Sequence, residues 1–339
     1  MTELAVDLPE DSWDAAIKLL QDAPDATLVC HVAPDGDALG SMLALARVLR
    51  AQGTTVTCTW GDERWAVPPS YAWLPDIDTV GPPSTVAAAP AVMVVLDTAS
   101  RERLGVLGSL PDRAAALIVM DHHAHNSGLD GVQLVDPAAA ATAVVVEALL
   151  RRMQVEIDPV TATLLYVGLV TDTGSFQHSV TTPAVHAVAA RLLTDGVRPD
   201  VVAQQLWGSR PFGFQPALAA ALSRVRLEAD AVGGRGLVWT WMTQEDLTEA
   251  GVGLDDLESV IDVVRSAREA DVAVVLKPDV DGSYRVSTRS RGGTDVGAAC
   301  VALGGGGHRL AAGFTSRDDV ETTMAALRTA LTGAPAPGP

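Results

Sequence analysis

The chain has 339 residues, 48% hydrophobic and 19% charged, with a formal net charge of −18 and a sequence pI near 4.6. That length predicts two domains, and the acidity speaks against a binder of long duplex nucleic acid, which would carry a basic face. The three cysteines, Cys30, Cys58 and Cys300, are far apart and form no CxxC pair, which speaks against a zinc site or a disulfide framework.

The N-terminal segment lacks a basic region followed by an apolar run, and runs such as Ala138–Val146 are too short and alanine-rich to span a bilayer. The expectation is a soluble cytoplasmic protein with no membrane partner.

Residues 11–20 carry a helical pattern. Ala26–Cys30 is a buried-strand run ending at His31, followed by a Pro-Asp-Gly-Asp loop and a helix over Ala38–Ala51. Thr55–Trp60, Ala91–Leu96 and Ala116–Met120 read as further strands, the last two ending at Asp97 and Asp121. Helices follow over 142–153, over 159–171 with Asp172 at its end, and over Thr182–Leu193. Continuous apolar strands alternating with helices predict an α/β fold, a parallel sheet with helices on both faces. His31, Asp97 and Asp121 each follow the C-terminal end of a strand, the edge at which open α/β sheets bind ligands.

The stretch from Gly196 to Gly213 is rich in Gly and Pro and predicts a linker. Beyond it, Leu222–Ala229 and Gly236–Trp241 read as a hairpin around Gly233-Gly234. Leu257–Ala267 reads as a helix, Val272–Lys277 and Tyr284–Thr288 as a strand pair, and Asp295–Leu303 as a helix running into Gly304–Gly307. The expected division is a catalytic domain over 1–195, a linker over 196–215, a smaller α/β domain over 216–332 with a cleft between the two, and a disordered Pro/Ala/Gly-rich tail over 333–339.

Four places carry the chemistry. The first, His31-Val-Ala-Pro-Asp35-Gly-Asp37, offers three hard-metal ligands within seven residues, although Asp37 could serve as an N-cap alone. The others are Asp97, Asp121-His122-His123, and Thr171-Asp172-Thr173-Gly174. Singly, Asp97 reads as a helix cap and Asp172 as a weak signal, whereas adjacent histidines are uncommon after a buried strand, a surface pair with no role being the other reading. Together they form a donor set of Asp and neutral His that suits Mn²⁺ or a similar divalent ion. Two such ions close together support in-line phosphoryl displacement.

The order HxxPDGD, D, DHH, TDTG resembles the four motifs of the DHH family of phosphoesterases, all within residues 31–174. The resemblance implies His31 and Asp35 as ligands of one manganese, Asp37, His122 and Asp172 as ligands of the other, and Asp97 as the bridging carboxylate. It implies His123 as the histidine that hydrogen-bonds the scissile phosphate, so that Asp97 and His123 are the catalytic pair. Asp121 reads as a group that orients the histidines. Two Mn²⁺ are the expected cofactors, with Mg²⁺ or Co²⁺ as substitutes.

In the C-terminal half, Ser287-Thr-Arg289-Ser290 and Gly304-Gly305-Gly306-Gly307-His308 followed by Arg-Leu-Ala-Ala-Gly resemble the DHH-associated nucleic-acid-binding domain. Glycines let a backbone approach an anion and expose N–H groups to it. Arg289, Ser290, Gly305, Gly306, Gly307 and His308 are therefore the expected substrate-binding residues. A flexible loop is the other reading of the glycine run.

The likeness is greatest to short bacterial proteins that degrade nanoRNA to nucleoside monophosphates and convert 3′-phosphoadenosine 5′-phosphate (pAp) to AMP. It implies short single-stranded RNA or a small nucleotide as substrate, and a homodimer. A phosphodiesterase acting mainly on cyclic or linear dinucleotides is the alternative. A pyrophosphatase or polyphosphatase predicts a different C-terminal domain, and a non-catalytic sensor predicts lost ligands. His178 reads as a solvated or core histidine, and His125 and His186 receive no role. Arg291 is a neighbour that could help Arg289. Trp60, Trp65, Trp73, Trp207, Trp239 and Trp241 are read mostly as packing rather than as stacking platforms.

Overall fold

A computed structural model of the protein describes residues 6–123 and 128–334, with only the backbone of His308. His125, the His308 side chain and the tail beyond Ala334 lie outside the described residues. The chain divides into two compact units, Met1–Gly208 and Ser209–Pro339. Among the described residues no helix is long and apolar enough to cross a membrane.

The first unit is built on five strands: β1 (Asp25–Cys30), β2 (Thr55–Trp60), β3 (Val92–Leu96), β4 (Ala116–Asp121) and β5 (Val132–Val135). They form one sheet, all parallel, in the order β2-β1-β3-β4-β5. The chain leaves β1 toward β2 on one side and returns to β3 on the other, so β1 and β3 flank the switch point where such sheets bind ligands. Register completes the placement. Cys30 lies beside Leu96, and Leu96 beside Met120, so His31, Asp97 and Asp121 emerge at one edge.

Strand residues alternate between two cores, as a period of two requires. Leu28, Cys30, Val94, Leu96, Ile118 and Met120 face helices α2 (Gly36–Ala51), α3 (Thr142–Arg152) and α4 (Pro159–Asp172), joined by α1 (Glu10–Asp22) and α5 (Pro183–Thr194). Val29, Met93, Val95, Leu117 and Val119 face the other way, onto Ala99, Leu104, Leu107, Leu110 and Leu129 from irregular segments with short 3₁₀ turns. The sequence pattern did not reveal β5, a four-residue edge strand with one buried residue, Leu134.

Small residues let the three site-bearing helices close on each other. A Cβ at Gly40 of α2 would stand 2.4 Å from the Leu164 carbonyl of α4. A Cβ at Gly168 of α4 would stand 2.7 Å from Ala143 Cβ of α3 and 2.6 Å from Asp37 Oδ1. The stretch after α5, expected to be a linker, is partly helical: Pro199–Ala203 is an α-helix with Pro in its first turn, and Gln204–Gly208 is a wider π-type turn.

The second unit carries β6 (Arg226–Glu228), β7 (Leu237–Trp241), β8 (Val272–Pro278), β9 (Tyr284–Ser290), β10 (Gly306–His308) and β11 (Ala311–Ser316), ordered β10-β11-β9-β8-β7-β6. All neighbours are antiparallel except β7 and β8. Along β8, Val272, Val274 and Leu276 enter one core while Ala273 and Val275 enter the other, so both faces of this strand are covered.

The expected hairpin at β6 and β7 is present but shorter, because Leu222 and Ser223 belong to the helix Phe214–Ser223. The expected helix over Leu257–Ala267 is a 3₁₀ turn, Asp255–Leu257, and a short helix, Val260–Val264. The second half of the glycine run is not a free loop: Gly306 and Gly307 lie in β10, paired with β11. Gly333, placed in the tail by composition, ends the helix Val320–Gly333.

We expect Gly40→Ala to destabilise the protein by roughly 1–3 kcal/mol, the usual cost of overpacking, because a backbone carbonyl bars the new methyl. Urea unfolding followed by circular dichroism measures it; an unchanged midpoint would contradict the tight α2–α4 contact.

Candidate metal centre

The site is assembled from the ends of β1, β3 and β4, the start of α2 and the end of α4. His31 follows β1 and is almost fully buried. Its Nδ1 lies 2.8 Å from the Val32 carbonyl. A carbonyl only accepts, so Nδ1 carries the proton and Nε2 offers a lone pair. That Nε2 is 3.3 Å from Asp97 Oδ2 and 3.8 Å from Asp35 Oδ2. Burial holds the imidazole below its ordinary pKa, and the Arg103 charge also lowers it, against Asp35.

Asp35 has two tasks. Its Oδ1 caps α2, accepting from the N–H groups of Asp37 and Ala38 at 3.1 Å each, while Oδ2 faces His31. The cap that the sequence allowed for Asp37 is thus made by Asp35. Asp37 is buried instead, its oxygens accepting from the N–H groups of Thr142 (2.6 Å) and Ala143 (2.8 Å) and from Ser41 Oγ (3.1 Å). Thr142 and Ala143 open α3, so a helix N-terminus faces this carboxylate.

Asp97 follows β3 with a left-handed backbone, φ 61°, its N–H donating to the Met120 carbonyl at 2.9 Å. Strain of this kind in a non-glycine residue gathers at functional sites. Thr142 Oγ1 donates to Asp97 Oδ1 at 2.9 Å. That oxygen is also 3.5 Å from His122 Nε2, while Oδ2 faces His31. The two oxygens of one carboxylate therefore address two different groups of donors.

His122 Nε2 lies 3.0 Å from Asp172 Oδ2 and 4.0 Å from Asp37 Oδ2. It is buried, yet none of these approaches has the alignment of a hydrogen bond, and among the described residues the atom has no hydrogen-bond partner. Asp121, the last residue of β4, fixes the histidine pair: its Oδ1 accepts from the N–H of His122 (2.8 Å), the N–H of His123 (3.2 Å) and His123 Nδ1 (2.7 Å). It holds the His123 imidazole through Nδ1 and the backbone of both histidines.

Donor atoms of three trios each lie within 4.8 Å of one another: His31, Asp35 and Asp97; Asp37, His122 and Asp172; Asp97, His122 and His123. The charges of this cluster are unbalanced. Burial, then Asp37, Asp35 and Asp172, raise the Asp97 carboxyl well above the usual carboxylate range. Burial and then Asp172 raise Asp37 to about 7, with His122 opposing. Burial pulls His122 down, but Asp172 and Asp37 outweigh it and bring the imidazole to about 9. Divalent cations would supply the missing positive charge, and the buried Nε2 of His122, without a hydrogen-bond partner among the described residues, is placed to serve as a ligand once an ion displaces its proton.

In the second unit, Arg289 on β9 is half-buried, and Nη1 donates to the Thr288 carbonyl at 3.0 Å. It has no carboxylate partner among the described residues, and burial lowers its pKa. Ser290 differs from expectation. Its hydroxyl donates toward Asp271 and accepts from the N–H groups of Gly292 (3.0 Å) and Thr294 (3.2 Å), so it shapes the turn after Arg289.

A Cβ at Gly305 would meet the Gly313 carbonyl at 2.2 Å, and one at Gly307 would meet Ala312 Cα at 2.5 Å. Those two glycines serve the pairing of β10 with β11. Gly306 has open space beside it, which leaves its backbone approachable. Arg291 is exposed and donates to the Ala267 carbonyl. Trp60 and Trp239 are fully buried and serve packing. Arg103, whose charge reaches His31, was missed by sequence reasoning; the signal available was an arginine six residues past a strand-end aspartate.

Comparison with known proteins decides the family. Residues 26–169 match the N-terminal domain of the DHH family, and residues 239–332 match the DHHA1 domain. A Thermus thermophilus protein named bifunctional oligoribonuclease and PAP phosphatase NrnA is 34% identical over 91% of this chain and 90% of its own. The chain belongs to the DHH family. A second DHH relative, from Streptococcus mutans and named probable bifunctional oligoribonuclease and PAP phosphatase NrnA, is 27% identical over 84% of this chain and 87% of its own. Among solved structures, an exopolyphosphatase-related protein from Bacteroides fragilis superposes with a TM-score of 0.88 at 22% identity, covering 95% of this chain and 96% of that one, a likeness of fold.

In this DHH protein Asp37 is raised from 3.8 to about 7 and His122 from 6.5 to about 9, so both bind protons more tightly folded than unfolded. The stability they confer on metal-free protein is present at low pH and lost as pH rises through those values. We expect the metal-free Tm to fall between pH 6.5 and 9, the His122 window, and added Mn²⁺ to remove most of the fall. Thermal denaturation with EDTA or Mn²⁺ measures this; a metal-free Tm flat across the window would refute the charge imbalance.

Proposed function

We propose that the protein is a two-metal phosphoesterase that hydrolyses short oligoribonucleotides to nucleoside 5′-monophosphates and pAp to AMP and phosphate, with manganese as its ion. The observation that carries the reading is Asp97. One buried carboxylate turns one oxygen to the His31–Asp35 side and the other to the His122 side. The names of the curated relatives supply the substrate class.

In this reading His31, Asp35 and Asp97 hold one ion, and Asp37, His122, Asp172 and Asp97 hold the other. When bound, two divalent ions neutralise phosphate charge and lower the pKa of a water nucleophile. Mixed imidazole and carboxylate donors suit manganese better than magnesium, which favours all-oxygen shells.

The protein's own groups do the rest. Asp121 holds the His123 ring through Nδ1, so His123 can present its other nitrogen to a phosphate oxygen. Thr142 and the N-terminus of α3 fix Asp97 and Asp37, which keeps the ligand geometry from relaxing on each turnover. In the second unit, Arg289, Gly306 and His308 are the groups we assign to binding a nucleotide phosphate. The net charge of −18 disfavours long polymers, whose many phosphates would meet an acidic surface.

Asp97→Ala should reduce turnover by roughly three orders of magnitude, the several kcal/mol that metal assistance contributes. The assay follows AMP release from pAp and mononucleotide release from two- to five-nucleotide RNA with Mn²⁺, beside pyrophosphate and cyclic dinucleotides. Near-normal turnover in the variant would overturn the mechanism, and preferential hydrolysis of pyrophosphate would overturn the substrate class.

Arg289→Ala should raise KM for pAp about tenfold and leave kcat within about threefold, as loss of a charged hydrogen bond predicts. Steady-state kinetics decides; an unchanged KM removes Arg289 from the binding site.

A further inference from the structure

The chain directly after Asp172 is unusually constrained. Gly174, Ser175 and Phe176 are three successive left-handed residues, with φ of 54°, 58° and 64°. For Ser175 and Phe176 that conformation costs about 1–2 kcal/mol each, so other contacts must hold it.

The Ser175 N–H donates to the Val170 carbonyl at 2.8 Å, and the Phe176 N–H to Thr173 Oγ1 at 3.1 Å. The N–H groups of Gln177 and His178 both donate to the Thr173 carbonyl, at 2.9 and 3.0 Å. Phe176 stacks on His186 with ring centroids 5.1 Å apart. The result is a tight reversal that returns the His178 ring to the end of α4. There Nδ1 meets the Asp172 carbonyl at 3.0 Å. Because a carbonyl only accepts, Nδ1 is the donor. The ring lies over Gly174, where a Cβ would stand 2.3 Å from Nε2.

The last carbonyls of a helix have no intrahelical partner, and helix ends fray when nothing caps them. Asp172 is the final residue of α4. We propose that His178 is a positioning residue for the metal pair: by latching the Asp172 carbonyl it holds the last turn of α4 in the conformation that delivers the Asp172 carboxylate beside Asp37 and His122. This rests on the metal-ligand reading of Asp172. The strained turn is then the means by which a residue six positions downstream reaches back to its own ligand, and Gly174 is the residue that leaves room for the ring.

The test is Mn²⁺ binding to the full chain by isothermal titration calorimetry, with no substrate present. His178→Phe keeps a ring over Gly174 but lacks the donor. His178→Asn places an amide N–H near the position of Nδ1. We expect wild-type protein to bind two ions. His178→Phe should weaken one of them about tenfold, the low end of what ligand-orienting partners contribute, and leave the other within about threefold. His178→Asn should recover most of the loss, while Tm in EDTA stays alike across the three proteins. Wild-type affinity for both ions in His178→Phe would overturn the proposal, as would a His178→Asn protein as weak as the Phe variant. Absence of Mn²⁺ binding by wild-type protein would remove both the metal reading and the inference built on it.

Discussion

Burial of like charge organises the first unit. Asp35, Asp37, Asp97 and Asp172 gather at one sheet edge, and Asp37 and Asp97 are almost wholly removed from water. Carboxylates in that position are costly unless protonated or neutralised by cations. Burial and mutual repulsion raise Asp97 and Asp37, so bound positive charge would stabilise their ionised forms. Much of the surrounding architecture serves to hold these groups together against that repulsion.

Three devices share the task. Sheet register brings the ends of β1, β3 and β4 level, so residues distant in sequence begin at one edge. Glycines at 40 and 168 let α2 and α4 approach until Asp37 and Asp172 share His122. The N-terminus of α3 then supplies backbone N–H groups to Asp37, and Thr142 supplies a hydroxyl to Asp97. Each device would be unremarkable alone. Together they fix donor atoms that would otherwise repel one another, which is how a rigid scaffold pre-organises a charged site.

The second unit solves a different problem. Its glycine run satisfies the close pairing of β10 with β11 at two positions, 305 and 307, and leaves Gly306 open. Arg289, half-buried and without a carboxylate partner among the described residues, retains donors for an anion. Ser290 beside it is committed to the turn around Asp271 and Thr294. Adjacent residues of one short motif thus differ: Ser290 is engaged in the turn, while Arg289 makes no carboxylate pair among the described residues.

The sequence by itself determined the α/β class, the strand-end positions of His31, Asp97 and Asp121, and the family, because continuous apolar strands and short-range motifs are local features. It missed β5, made β6 too long and did not show that Gly306 and Gly307 pair as a strand, because edge pairing depends on partners far along the chain. Only the tertiary structure decided which aspartate caps α2, since Asp35 and Asp37 are equivalent until α3 arrives to bury one of them. It alone showed that the Ser290 hydroxyl bonds Asp271, Gly292 and Thr294, and that His178, featureless in sequence, returns to Asp172 through a left-handed turn. Those outcomes rest on distances between atoms that the chain brings together late. Local pattern carries no information about them.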